Sequence, residues 1–210
     1  MKINKKISAA AFKCRGIFWG LFAAGILLFP AKFDLTRFIV GIILVLAGQA
    51  IRLWAAGYIP KYRTEVIGAP VLITWGPYKW VRNPLYAGNA LMGLGWSLMV
   101  GWWWIVAFII AFALLYSLIV IPAEEEFLEK KFGSEYTDYK KAVPSLIPWS
   151  RAGFPAASSH EKPFNAKNAA REEIYSIRVN IVVTLIIFVK LFCFCDIRQI
   201  ELLRYSTNRG

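Results

Sequence analysis

The sequence predicts an all-α, multi-pass membrane helical bundle of about five transmembrane helices, and three observations carry that expectation. Hydrophobic residues make up 58% of the 210-residue chain and come in blocks, so that Leu85 to Ile121 holds no Asp, Glu, Lys or Arg. A bilayer core about 30 Å thick takes roughly 20 apolar residues per helix, so this block alone is long enough for two. The net charge of +12 is segregated between the blocks, which is the second observation. The third is that Gly101 and Trp102-Trp103-Trp104 interrupt the longest block. Glycine permits the turn there, and indole rings suit the headgroup interface.

Taken in order, Gly16 to Phe29 forms the first span and Phe38 to Ile59, carrying Gln49 and Arg52, the second. Lysines precede the first apolar run as in a signal peptide, but no small-residue cleavage site follows Phe29-Pro30, so the span is expected to be retained. Arg52, late in span two, either faces the pocket or snorkels to the cytosol, and snorkelling is the commoner outcome. Pro60, Gly68, Pro70, Gly76, Pro77 and Pro84 make 60–86 irregular. Spans three and four form a tight hairpin around Gly101. Pro122 is then expected to open a separate polar helix to about Phe132, stopped by Gly133. Val143 to Pro148 reads as extended, because residues before proline avoid the helical region. Residues 151–175 read as a polar linker, and 176–210 as an extension whose run from Val179 to Cys195, broken by Lys190, supplies the fifth span.

Charge placement sets the expected topology. Lys2, Lys5, Lys6, Lys13 and Arg15 precede span one, while Lys61, Arg63, Lys79 and Arg82 lie between spans two and three. A further basic set follows span four, whereas the loop after span one has only Lys32 and Arg37. Positive residues favour the cytosolic side, which places the N-terminus and both long polar segments there. Topology accounts for the charge, so no nucleic-acid partner is expected. Cys14, Cys193 and Cys195 have neither zinc-ligand spacing nor an even disulfide framework, and no metal site is expected. His160 reads as a solvated linker residue.

Two clusters hold residues able to do chemistry. Gly76-Pro77-Tyr78-Lys79-Trp80-Val81-Arg82-Asn83-Pro84-Leu85-Tyr86 lies before span three, and Glu124-Glu125-Glu126 follows span four. An antiparallel hairpin brings both to one membrane face. Each also has a plain reading. Arg82 serves as a positive-inside anchor, Asn83 and Pro84 cap a helix, and the glutamates complement a helix dipole at its start.

Gly-Pro-Tyr-x-x-x-Arg-Asn-Pro-x-Tyr, then Glu124-Glu125 with Phe132-Gly133 and Tyr136, then Tyr139 and Val143 to Pro148, resembles the isoprenylcysteine carboxyl methyltransferase and phospholipid methyltransferase superfamily over roughly residues 40–149. The resemblance places residues 1–150 in one methyltransferase-like helical domain. It implies S-adenosylmethionine as cofactor, held at the cytosolic face without a Rossmann fold, and a membrane lipid or lipid-linked small molecule as acceptor. Leu72, Ile73, Tyr78, Asn83, Pro84, Leu85, Tyr86, Glu124 and Glu125 are the implied cofactor-binding residues, with Arg82 and Tyr86 the implied catalytic pair. The family's usual His is Asn83 here, which does not titrate near neutrality. The arginine that the carboxyl-methylating branch places one turn before the glutamates falls on Val120, which weakens the case for a carboxylate acceptor. An NADPH-dependent membrane reductase of the sterol type and a non-enzymatic membrane protein are the competing readings.

Overall fold

The computed structural model describes residues 5–29, 31–59, 71–148 and 163–207, with side chains from 16 to 192 within those ranges. Lys61, Arg63, His160 and the three cysteine side chains lie outside them. The described residues are helical apart from short connections: α1 Lys5–Leu28, α2 Leu35–Ala56, α3 Pro84–Val100, α4 Trp102–Phe112, α5 Ile121–Phe132, α6 Ser134–Ala142 and α7 Ala166–Thr207, with a π-helical segment Ala113–Val120 between α4 and α5. Helices occupy all five expected apolar segments. Three are long and apolar enough to cross a membrane, namely Leu35–Ala56, Trp102–Phe132 and Ala166–Phe192. Gly16–Leu28 is apolar but shorter.

The pairing of α2 with α3 organises the bundle, and glycines set its spacing. A methyl group on Gly48 would lie 2.5 Å from the Gly88 carbonyl oxygen, and one on Gly95 would lie 2.5 Å from that of Gly41. The two antiparallel backbones therefore touch at two levels seven residues apart. Close approach of this kind replaces the hydrophobic driving force that helices lose in lipid. Gly48→Ala is expected to lower stability by at least about 1–3 kcal/mol, because backbone must move to admit the methyl. Gly20→Ala, with nothing within 4 Å, is expected to be neutral or slightly stabilising. Unfolding of the two variants in detergent checks the contrast.

α3 turns into α4 at Gly101, whose φ of 154° suits glycine, and the predicted hairpin is present. Its far end packs on α1, where Gly25 abuts the Trp104 ring. Phe18, Trp19 and Phe22 of α1 meet Phe108, Phe112 and Tyr116 in an aromatic core. Lys190 of α7 donates to the carbonyls of Ile26 and Phe29, which places the one cation of that apolar run at the C-terminal end of α1, where a helix dipole favours it.

Three expectations are corrected. Pro122 does not begin a new helix: Val120 keeps helical angles, and the Ile121 N–H reaches the Tyr116 carbonyl five residues back. Proline lacks an N–H and crowds the carbonyl one turn earlier, and the wider π turn ahead of it accommodates both. Trp102 to Phe132 is one continuous helix. The linker expected over 151–175 has become helix by Ala166, where the Asn165 side chain accepts from the Asn168 N–H as a cap. Arg52 does not snorkel but is held inside the bundle by Glu173 at 2.7 Å.

Candidate active site

Arg82 stands where three chain segments meet. Its Nε and Nη2 donate to one Glu125 oxygen at 3.0 and 2.8 Å, and its Nη1 donates to the Lys140 carbonyl at 2.9 Å and to the Val143 carbonyl. The flanking backbone joins in. The Arg82 N–H donates to the Pro144 carbonyl and the Asn83 N–H to that of Ser145. The expected extended piece after Val143 is therefore a short edge laid against the Arg-Asn motif. The Asn83 side chain does not cap α3 but donates to the Ser145 carbonyl and hydroxyl, while Pro84 takes the first helical position as expected.

Glu125 is buried, and its second oxygen lies 3.1 Å from Lys140, which also pairs with Glu129 at 2.7 Å. The sequence account of the glutamates as dipole partners at a helix start fails, since the helix is continuous through them. Glu125 is instead the counter-ion of Arg82 across the hairpin. Glu124, one residue earlier and exposed, accepts from the Tyr86 hydroxyl at 2.8 Å. The two motifs thus meet twice, as Arg82 with Glu125 and as Tyr86 with Glu124. Tyr86 also sets its ring edge-on to Tyr116 of the π segment, and Trp19 donates to the Tyr116 hydroxyl at 2.8 Å.

The remaining predicted residues arrange themselves around this junction. Leu72 is buried in a small cluster with Tyr136, Tyr139 and Val143, and Ile73 beside it is half-buried. The Tyr78 carbonyl accepts from the Tyr139 hydroxyl at 2.6 Å, which fixes the Gly-Pro-Tyr turn. Leu85 is half-buried at the start of α3. Trp75, which the sequence pattern does not single out, is buried, and its indole N–H has no partner among the described residues. The signal available was its place directly before the Gly-Pro turn. Val120, where the carboxyl-methylating branch has an arginine, lies in the apolar core.

Burial raises the Tyr136 phenol above its ordinary 10.0, with the Glu125 charge adding to it, and burial likewise raises Tyr139. The hydrogen bond to Glu129 raises Lys140, assisted by Glu125 against a smaller desolvation effect. All three hold their protons more tightly folded than unfolded. Their stabilisation is present in full below about pH 10 and is lost as pH climbs from there toward the raised folded values. The melting temperature is accordingly expected to stay level below about pH 10 and to fall above it. Thermal melts across alkaline pH check this.

Residues 36–135 match the phospholipid methyltransferase family model. The match covers just under half of the chain. It contains α2, the hairpin, both meeting motifs and the Gly133 stop. α1, the Tyr139-to-Ser145 part of the clasp and α7 lie outside it. Among curated relatives, the chain is 36% identical over 115 residues to a cobalt-zinc-cadmium resistance protein of Cupriavidus metallidurans, covering 54% of this chain and 49% of that one. It is 34% identical over 116 residues to a probable protein-S-isoprenylcysteine O-methyltransferase of Oryza sativa subsp. japonica, covering 52% and 60%. It is 31% identical over 93 residues to methanethiol S-methyltransferase 1 of Bradyrhizobium diazoefficiens, covering 44% and 28%. The chain thus spans about half the length of the metal-resistance relative. No solved structure matches it. The matched segment supplies the residues that meet at the hairpin's open end.

Proposed function

We propose that this protein is an integral-membrane methyltransferase that uses S-adenosylmethionine to methylate a lipid or lipid-linked small molecule, with its site at the cytosolic face. The observation that carries the proposal is the pairing of Tyr86 with Glu124 beside that of Arg82 with Glu125, which unites the family's two motifs at one end of a charge-free hairpin. The residues present fit the cofactor. The exposed Glu124 carboxylate complements an ammonium or ribose hydroxyls, and the buried Trp75 indole N–H is a donor that lacks an acceptor among the described residues. An unpaired buried donor costs about 1–3 kcal/mol, which a ligand acceptor would recover.

Bound there, S-adenosylmethionine supplies a methyl group already activated by its sulfonium. The protein then has to align donor and acceptor and exclude water. Glu124 would hold the cationic end of the ligand, and the Tyr86 hydroxyl holds Glu124 in place. Leu72, Ile73, Tyr78, Asn83, Pro84 and Leu85 are the further residues that would surround the cofactor. With four hydrogen bonds to Glu125 and two carbonyls, Arg82 works as a positioning residue and not on the acceptor. Glu125 acts through it. Asn83 holds the Ser145 edge and supplies no general base.

Incubating the purified protein with methyl-labelled S-adenosylmethionine and an extract of membrane lipids tests the reading. Label is expected in the organic-soluble fraction with wild type and at background with Glu124→Ala. Label confined to water-soluble products would remove the lipid acceptor. Oxidation of NADPH in place of methyl transfer would favour the reductase.

A further inference from the structure

α7 lies outside the family segment, yet it carries a polar face that the rest of the bundle answers. Glu173 is fully buried and takes Arg52 Nε at 2.8 Å and Nη2 at 2.7 Å, and Gln49 donates to the same carboxylate at 3.2 Å. Ser176 and Asn180, at the next helical spacings, both donate to the Gln49 side-chain oxygen, and Thr184 accepts from the Trp96 indole at 3.1 Å. Ionisable groups inside a membrane bundle are costly and are kept where they do something. The remaining Arg52 nitrogen donates to Asn89 Oδ1 at 2.7 Å, one turn after Tyr86 on α3.

The start of α7 makes a second connection. Asn168 donates to the Ala56 and Ile59 carbonyls, and the Asn165 N–H donates to that of Gly57. Phe164 packs edge-on to Tyr58, and the Tyr58 ring covers Gly76 so closely that a Cβ there would lie 2.4 Å from it. α7 therefore reaches the Gly-Pro-Tyr turn through Tyr58 and the first turns of α3 through Arg52 and Asn89.

We infer that α7 is a positioning brace for the site, with Glu173, Arg52 and Asn89 as the residues that set where the α3 end of the motif stands. Glu173 fixes the guanidinium, and the guanidinium fixes Asn89 and with it the turn that carries Tyr86. The family segment alone would leave Arg52 with Asn89 and no counter-charge. The inference rests on the proposed function only for what the site binds. The brace itself is a statement about the position of 76–89.

The test is hydrogen–deuterium exchange on the full-length protein in detergent, read separately over 76–89 and over α7, together with calorimetric titration of S-adenosylmethionine. Asn89→Ala cuts the link on the site side and leaves the Arg52–Glu173 pair intact. It is expected to speed exchange across 76–89 several-fold, to leave α7 protected, and to weaken cofactor binding about tenfold. Glu173→Gln is expected to speed exchange in both regions, and Glu173→Asp to restore part of the protection at 76–89. Should Glu173→Gln fail to fold, Asn89→Ala still decides. Unchanged exchange over 76–89 in folded Asn89→Ala would overturn the inference and leave α7 as packing alone. If wild type binds no S-adenosylmethionine, the cofactor assignment falls, while the exchange comparison still settles the brace.

Discussion

Glu125→Ala is expected to cost about 3–5 kcal/mol of stability. The substitution deprives the Arg82 guanidinium, with a side chain only 11% exposed, of its carboxylate partner, and it also deprives Lys140 of one of its two described partners. Breaking a buried ion pair from one side costs far more than the pair contributes, because the surviving charge remains desolvated. Glu125→Gln keeps the shape and an acceptor but not the charge, so its loss should be intermediate. Equilibrium unfolding in detergent orders the three proteins. Equal stability of wild type and Glu125→Ala would mean that the Arg82 clasp does not hold the motif.

Glu124→Ala is expected to have the opposite character. The side chain is exposed and accepts from the Tyr86 hydroxyl, so the unfolding midpoint should move far less than for the buried Glu125. Cofactor affinity should fall about 10- to 100-fold, the usual worth of a hydrogen bond to a charged group. Tyr86→Phe removes only the hydroxyl that steadies Glu124, and about a 2- to 10-fold loss is expected. The neighbouring glutamates thus separate cleanly. Losing one unfolds the clasp, and losing the other empties the site.

Much of this was legible in the chain because membrane helices announce themselves by length and by absence of charge. The block from Leu85 to Ile121 and its glycine break gave the hairpin, and the hairpin placed Arg82 and Tyr86 opposite the glutamates. What the pattern could not assign was partners. Arg52 and Glu173 are 121 residues apart, and nothing local to either names the other. The signal was present as polar residues on single helix faces, Gln49 with Arg52 on α2 and Glu173, Ser176 and Asn180 on α7, but a face does not say what covers it. Pro122 misled for a related reason. Proline before a run of acids reads as a helix start, and only the π turn from Ala113 to Val120 lets the helix run on through it. The glycine pairs at 41, 48, 88 and 95 were equally mute, since small residues in a span signal a close approach without naming the neighbour.

The most direct measurement is calorimetric titration of S-adenosylmethionine, and separately of NADPH, into the folded wild-type protein in lipid nanodiscs. Saturable binding of S-adenosylmethionine, with no heat from NADPH and the affinity loss in Glu124→Ala described above, is the predicted result. Binding of NADPH, or no binding of S-adenosylmethionine by folded protein in a lipid bilayer, would contradict the assignment of the Tyr86–Glu124 junction as a methyl-donor site.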